Sequence, residues 1–202
     1  MAAKTTEAAR LLKLARKQPI LRVRDLAAAD IHPEHLRRLH QAGVVERTSR
    51  GVYRLVEAEY TEHLSLAEVS KRVPHGVVCL LSALQFHRIG TQLPPDVWLA
   101  VDRRSARPAS MNPKLRVVRL SGKAFSDGIE KKQIDGVMVQ IYCPAKTVVD
   151  CFKFRHKVGQ DVALEALRES WRSRKVTMKD LIHFSKVCRV EKVIRPYLES
   201  LA

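Results

Sequence analysis

The 202-residue chain lacks the marks by which most enzymes show themselves in sequence. It holds no G-x-x-x-x-G-K-[ST] phosphate loop, no G-x-G-x-x-G dinucleotide turn, no H-E-x-x-H metal pair and no G-x-S-x-G nucleophile elbow. Its candidate acids, Asp102, Asp127, Glu130, Asp135 and Asp150, are scattered without the compact spacing that grips a catalytic metal. The four cysteines, Cys79, Cys143, Cys151 and Cys188, stand 64, 8 and 37 residues apart with no C-x-x-C pair, and read as reduced, partly buried thiols. His32, His35 and His40 cluster, but the five-residue step between the last two puts them on different helical faces, which is poor zinc geometry. No catalytic residue, cofactor or metal is therefore expected. Also missing is any apolar run near the roughly 20 residues that a membrane span requires, or an N-terminal apolar stretch of secretory type. The expectation is a soluble, cytoplasmic protein with no membrane partner.

What the chain has in excess is positive charge, 37 Lys plus Arg against 21 Asp plus Glu, a formal +16. A polyanion is the simplest partner, because each phosphate neutralised releases counterions. Residues 1–60 hold 12 basic and 7 acidic side chains, net +5, leaving 25 and 14, net +11, for residues 61–202. With 46% hydrophobic residues the chain can build ordinary cores and is no disordered basic tail.

The most informative segment is IHPEHLRRLHQAGVVERTSRGVYRL, residues 31–55. Pro33 suits a first helical position and Gly43 a left-handed helix end, which predicts a helix of about ten residues. Leu36, Leu39, Ala42 and Val44 form a narrow apolar stripe, while Glu34, Arg37, Arg38 and Gln41 point the other way. Two β-forming runs, 44–47 and 52–55, follow, joined by Thr48-Ser49-Arg50-Gly51, so Arg47 and Arg50 fall at or near a hairpin tip. Upstream, Thr5 or Thr6 can cap a helix carrying Ala8, Leu11, Leu12, Leu14 and Ala15 that ends before Pro19, and Val23–Ala28 forms a second short helix. Three short helices and a hairpin describe a winged helix-turn-helix, with the third helix in the major groove and the wing on the backbone. A small helical domain with a solvated charged face fits the same pattern.

From residue 61 the character changes. The expected organisation is a 1–60 winged helix-turn-helix and a 61–202 C-terminal domain, with 61–74 a linking helix through Leu64, Leu66, Ala67 and Val69. Residues 77–87 read as a strongly apolar helix and 97–101 as a buried strand. Residues 103–123 carry Arg103, Arg104, Arg107, Lys114, Arg116, Arg119 and Lys123 with no acid, either a solvated loop and strand or a second contact surface for nucleic acid or an acidic partner. Asp135-Gly136 between β-forming residues predicts a hairpin. Helical periods follow over 145–155, 158–172, 177–188 and 190–201. Sheet first and helices last predict an α+β fold, the larger domain holding a small, mostly antiparallel sheet and a C-terminal set of helices. Asp150 falls inside the first of those helices. There it is a buried functional acid or, as expected here, the partner of Lys146 at i−4 or Lys153 at i+3.

Three segments, DLAAADIHPEHLRRLHQAGVVERTSRGVYRL, VVCLLSALQFHRIGTQLPPDVWLAV and IYCPAKTVVDCFKFRHKVGQDVALEALRES, resemble the AbiEi-type antitoxins of type IV toxin-antitoxin systems. The resemblance runs from about residue 8 to 201, and SAL-x-x-H at 82–87, LPPDVW at 93–98 and YCPAKTVVDCFKFR at 142–155 are its more specific parts. It implies a repressor of its own operon that binds promoter inverted repeats in double-stranded DNA. The C-terminal domain would counteract a nucleotidyltransferase-like toxin without a stable complex, and the chain would act as a monomer or weak dimer on its palindrome. By position, the family's recognition helix falls on His35, Arg37, Arg38 and Gln41 and its wing on Arg47 and Arg50. Two other classes fit the residues: a nucleic-acid-acting enzyme targeted by a winged helix, with Asp150 or Asp102 as its acid, and a basic RNA-binding protein.

Overall fold

A computed structural model of the protein describes residues 7–109 and 112–201, so the expected cap at Thr5 or Thr6 lies outside the described residues. The chain forms two compact units, one running to Pro74 and taking in Lys132–Val139, the other starting at His75.

In the first unit the order is α1 (Glu7–Lys17), β1 (Ile20–Arg22), α2 (Val23–Ala28), α3 (Pro33–Gln41), β2 (Val45–Ser49), β3 (Val52–Leu55) and α4 (Leu64–Arg72). The strands make one antiparallel sheet in the order β1-β3-β2. One apolar side chain or more from each helix before the hairpin enters a common core of Leu11, Ala15, Leu21, Leu26, Ile31, Leu36 and Val45. α3 starts at Pro33, and His32 Nδ1 accepts the Glu34 N–H at 3.2 Å. It stops at Gly43, whose φ of +71° lets Val44 N–H reach the Leu39 carbonyl and Gly43 N–H that of His40, both at 3.0 Å. Those two bonds satisfy the last orphan carbonyls and swing the chain straight into β2.

The helix expected as a linker belongs to this first unit. Lys71 Nζ lies 2.8 Å from Asp25 Oδ2, Arg22 Nη1 donates to the Lys71 carbonyl at 2.6 Å, and Arg54 Nη1 is 3.7 Å from Glu68. Tyr60 Oη donates to the Leu55 carbonyl at 2.7 Å, and burial pushes its hydroxyl up to about 12. The unit thus ends at Pro74 instead of at residue 60, because α4 covers β1 and β3.

From His75 onward the chain forms β4 (Val77–Val78), α5 (Leu80–Phe86), β5 (Val97–Asp102), β6 (Leu115–Leu120), α6 (Lys123–Ser126), β7 (Ile129–Ile134), β8 (Val137–Tyr142), α7 (Pro144–Lys153), α8 (Arg155–Val158), α9 (Gln160–Arg172), α10 (Met178–Val187) and α11 (Glu191–Glu199), all in the second unit except the 132–139 part of the β7–β8 hairpin. Two expectations are corrected. The five-stranded sheet, ordered β6-β5-β4-β8-β7, is mixed and not mostly antiparallel: β5 with β6 and β4 with β8 run parallel, and only β4 with β5 and the β7–β8 hairpin reverse direction. The parallel β5–β6 pair demands a crossover connection, and residues 103–114 supply it. Secondly, the apolar run from Val77 begins as a strand, since its two β-branched residues complete the sheet between β5 and β8 before the chain turns at Cys79 and Leu80. Gly76 is needed just ahead of it, because a Cβ there would lie 2.6 Å from Leu99 Cδ2.

α7 is the centre of this unit. All eight residues from Ala145 to Phe152 are buried, and α5, α9 and α10 pack round it. Among the described residues, no helix is long and apolar enough to cross a membrane.

Candidate nucleic-acid interface

The helical period sets Glu34, Arg37, Arg38 and Gln41 on one outward face of α3, opposite Leu36, which is 1% exposed. Arg37 and Arg38 remain well exposed, at 60% and 67% of their side-chain surface. They are not free, however. Arg37 grips Glu34 with two hydrogen bonds, Nε to Oε2 at 2.8 Å and Nη2 to Oε1 at 2.6 Å, and Arg38 Nε stands 3.5 Å from the same carboxylate. The hydrogen bonds from Arg37, joined by the charges of Arg37 and Arg38, hold the Glu34 carboxyl down at about 2, and the Arg37 guanidinium is raised in turn. Glu34 orients both arginines and screens them from a distant anion. The candidate DNA contacts expected from the sequence leave it out, although its i, i+3 and i, i+4 spacing to the two arginines is visible there.

His35 does not share that face. Its Nε2 lies 3.1 Å from Glu7 Oε2, and the same oxygen accepts the His32 N–H at 3.2 Å, so the imidazole braces α1 against the start of α3. His40 braces the other end, with Nδ1 donating to the Val45 carbonyl at 3.0 Å and its ring edge-on to Tyr53 at 5.8 Å.

In the hairpin, Val45 pairs with Leu55, Glu46 with Arg54 and Arg47 with Tyr53, after which the register slips so that Ser49 faces Val52. The reversal itself is Arg50-Gly51, with Gly51 at φ +75°. Arg54 is consumed by Glu46 across the strands. Arg47 and Arg50 are exposed, and Arg47 makes one weak bond of 3.4 Å to the Ser49 carbonyl. Within α3 and the hairpin, Gln41, Arg38, Arg47 and Arg50 are therefore the long donors least committed to the fold.

The basic stretch at 103–119 is not one surface. Arg103, Arg104 and Arg107 are exposed on the crossover loop, where Asp102 Oδ1 accepts the Arg104 N–H at 2.7 Å. On β6 the side chains alternate, so Arg116 and Arg119, three residues apart, stand on opposite faces. Arg116 is tied to Asp96 at 2.9 Å and lies over the Trp98 ring, whereas Arg119 donates to the Ser105 carbonyl and Lys114 stays exposed.

Asp150 follows the pairing expectation. Lys146 Nζ sits 2.5 Å from Asp150 Oδ2, with the two side chains 0% and 1% exposed, and the ammonium also lies 4.1 Å from the centre of the Tyr142 ring. The Cys188 thiol donates to Asp150 Oδ1 at 3.3 Å. Burial pushes the carboxyl upward against the pull of Lys146, and it pushes the neighbouring Cys79, Cys151 and Cys188 thiols up as well, which leaves them poor nucleophiles. The motifs that carried the family resemblance have the same structural character. Ser82 Oγ accepts the Trp98 N–H at 2.9 Å, His87 Nε2 donates to the Tyr142 carbonyl at 2.7 Å, and Tyr142 Oη donates to the Phe125 carbonyl at 2.8 Å.

Residues 9–56 match the family described as transcriptional regulator, AbiEi antitoxin. The matched stretch is the α1-to-β3 part of the first unit, and the motifs at 82–87, 93–98 and 142–155 lie beyond it. Among solved structures, the chain is similar to the RV2827C protein from Mycobacterium tuberculosis, with a TM-score of 0.61 at 15% identity, over 89% of this chain and 71% of that one. At that identity the likeness concerns the fold alone. No curated protein matches the chain.

Proposed function

We propose that the first unit is a winged helix-turn-helix that binds operator DNA, and that the protein is an antitoxin-type autorepressor of a type IV toxin-antitoxin operon. One observation carries this reading: α3 presents Arg37, Arg38 and Gln41 on a single outward face, and the hairpin that follows it ends in an exposed arginine at a two-residue turn. The chain order α1-β1-α2-α3-β2-β3 supports the same assignment, with α3 in the major groove and β2–β3 as the wing. Arg38 and Gln41 read base edges, Arg37 exchanges Glu34 for DNA, and Arg47 and Arg50 hold phosphates. His35 positions α3 and does not touch DNA. The operator is an inverted repeat in double-stranded DNA, filled by two copies of the chain. The second unit counteracts a nucleotidyltransferase-like toxin without forming a stable complex with it.

The test is an electrophoretic shift on the protein's own promoter. Arg38→Ala weakens specific binding by about 1–3 kcal/mol and relaxes preference at one base pair, whereas Arg50→Ala weakens specific and non-specific DNA alike. Unchanged affinity in both variants would place the groove contacts elsewhere.

A further inference from the structure

The second unit contains a basic cleft to which the operator reading assigns no role. Its walls come from four places in the chain: Arg103 after β5, Arg119 to Ala124 across the end of β6 and the start of α6, Lys153 at the end of α7, and Arg189 between α10 and α11. Five cations, Arg103, Arg119, Lys123, Lys153 and Arg189, thus line one concavity of about 560 Å3 with no carboxylate in its lining among the described residues. Two acids near them in sequence are engaged with other groups. Asp102 receives the Arg104 N–H, and Asp150 is sealed inside against Lys146 and Cys188. Arg119 and Lys153 donate to the carbonyls of Ser105 and Cys188, while Arg103, Lys123 and Arg189 are exposed and make no ion pair among the described residues.

Arg189 sits at φ +58° after α10, as Arg88 and Arg174 sit at φ +53° and +54° after α5 and α9, and its guanidinium reaches the cleft rim. Converging like charges repel, and an anion entering the concavity relieves that repulsion.

We propose that this cleft binds a compact phosphorylated small molecule through a di- or triphosphate chain. Its volume falls within the roughly 300–1,000 Å3 of small-molecule sites. The lining offers Ser121 and the arginine forks as phosphate donors, and no aromatic ring among the described residues, so the phosphate chain and not a nucleobase is recognised. Arg103, Arg119 and Lys123 come from the acid-free stretch, whereas Lys153 and Arg189 are supplied by segments distant in sequence. The site rests on the second unit alone, and its failure would leave the operator reading intact.

Isothermal titration of the full chain with inorganic tripolyphosphate tests it. The expected result is one saturable site per chain, weakened at least tenfold both by Arg189→Asn, since asparagine tolerates the left-handed backbone, and by the loop pair Arg103→Ala with Lys123→Ala. ATP binds no tighter than tripolyphosphate, and the DNA-face pair Arg38→Ala with Arg50→Ala binds it like the wild type. Thermal melts confirm that each variant is folded. No saturable binding, or undiminished binding in the folded cleft variants, overturns the proposal. So does a loss of tripolyphosphate binding in the DNA-face pair, or a loss of promoter affinity in Arg189→Asn as large as its loss of tripolyphosphate, which would assign the cleft to a nucleic-acid backbone.

Discussion

Replacing Lys146 by Met removes one member of an ion pair that is 0% and 1% exposed while keeping the length of the side chain. At an effective dielectric constant near 20, two charges 2.5 Å apart attract by on the order of 7 kcal/mol. Desolvating each ion costs several kcal/mol, so the intact pair comes out near neutral for stability. Its rupture is another matter, because Asp150 would keep only the Cys188 thiol at 3.3 Å as a partner. The expected cost of Lys146→Met is about 3–5 kcal/mol, a drop in melting temperature on the order of 10–20 °C. Adding Asp150→Asn should recover roughly 2 kcal/mol of the sum of the two single losses. The deficit also depends on pH in a defined direction. Burial already raises the Asp150 carboxyl, and without Lys146 it rises further. The folded chain then keeps a proton that the unfolded chain releases near pH 4, so stability falls as pH rises from about 4 through the raised folded value. Urea denaturation at pH 4 and at pH 7.5 should therefore find Lys146→Met closer to wild type at the lower pH. A loss under about 1 kcal/mol, or one that is the same at both pH values, would refute the compensation of Asp150 by Lys146.

Glu34→Gln should raise affinity for non-specific duplex and steepen the salt dependence by about one phosphate contact, as Arg37 is released; fluorescence anisotropy at several salt concentrations measures both. Because the Glu34 carboxyl is held at about 2, acidification within the folded range should not mimic this variant. Leu36→Ala, at a position 1% exposed, should cost about 2–5 kcal/mol and abolish promoter binding through loss of the first unit's core, read by hydrogen exchange in α1 and α3. Thr177→Ala removes the side-chain oxygen that accepts the Asp180 N–H at 3.1 Å, and should cost about 0.5–2 kcal/mol in thermal melts without changing DNA affinity.

The helix and hairpin of the proposed DNA face were legible in the chain because their signals are local. Pro33, Gly43 and the spacing of Leu36 and Leu39 define a helix and its ends within one stretch, and Arg50-Gly51 defines the hairpin beside it. His35 escaped that logic: the family resemblance that placed it on the recognition helix could not see Glu7 waiting on α1. Glu34 was placed on the outward face by its period, and only the side-chain geometry shows that it holds both arginines.

The sequence by itself determined where most helices and the two hairpins form, that Asp150 has a lysine partner within one turn, and the excess of positive charge. Only the tertiary structure decided that the second unit's sheet is mixed, that Val77–Val78 is its middle strand, that α4 belongs to the first unit and that five cations meet in one cleft. The physical reason is range. Helical and turn preferences act over a few residues, whereas strand partners, burial and charge convergence depend on which distant segments meet when the apolar faces are buried.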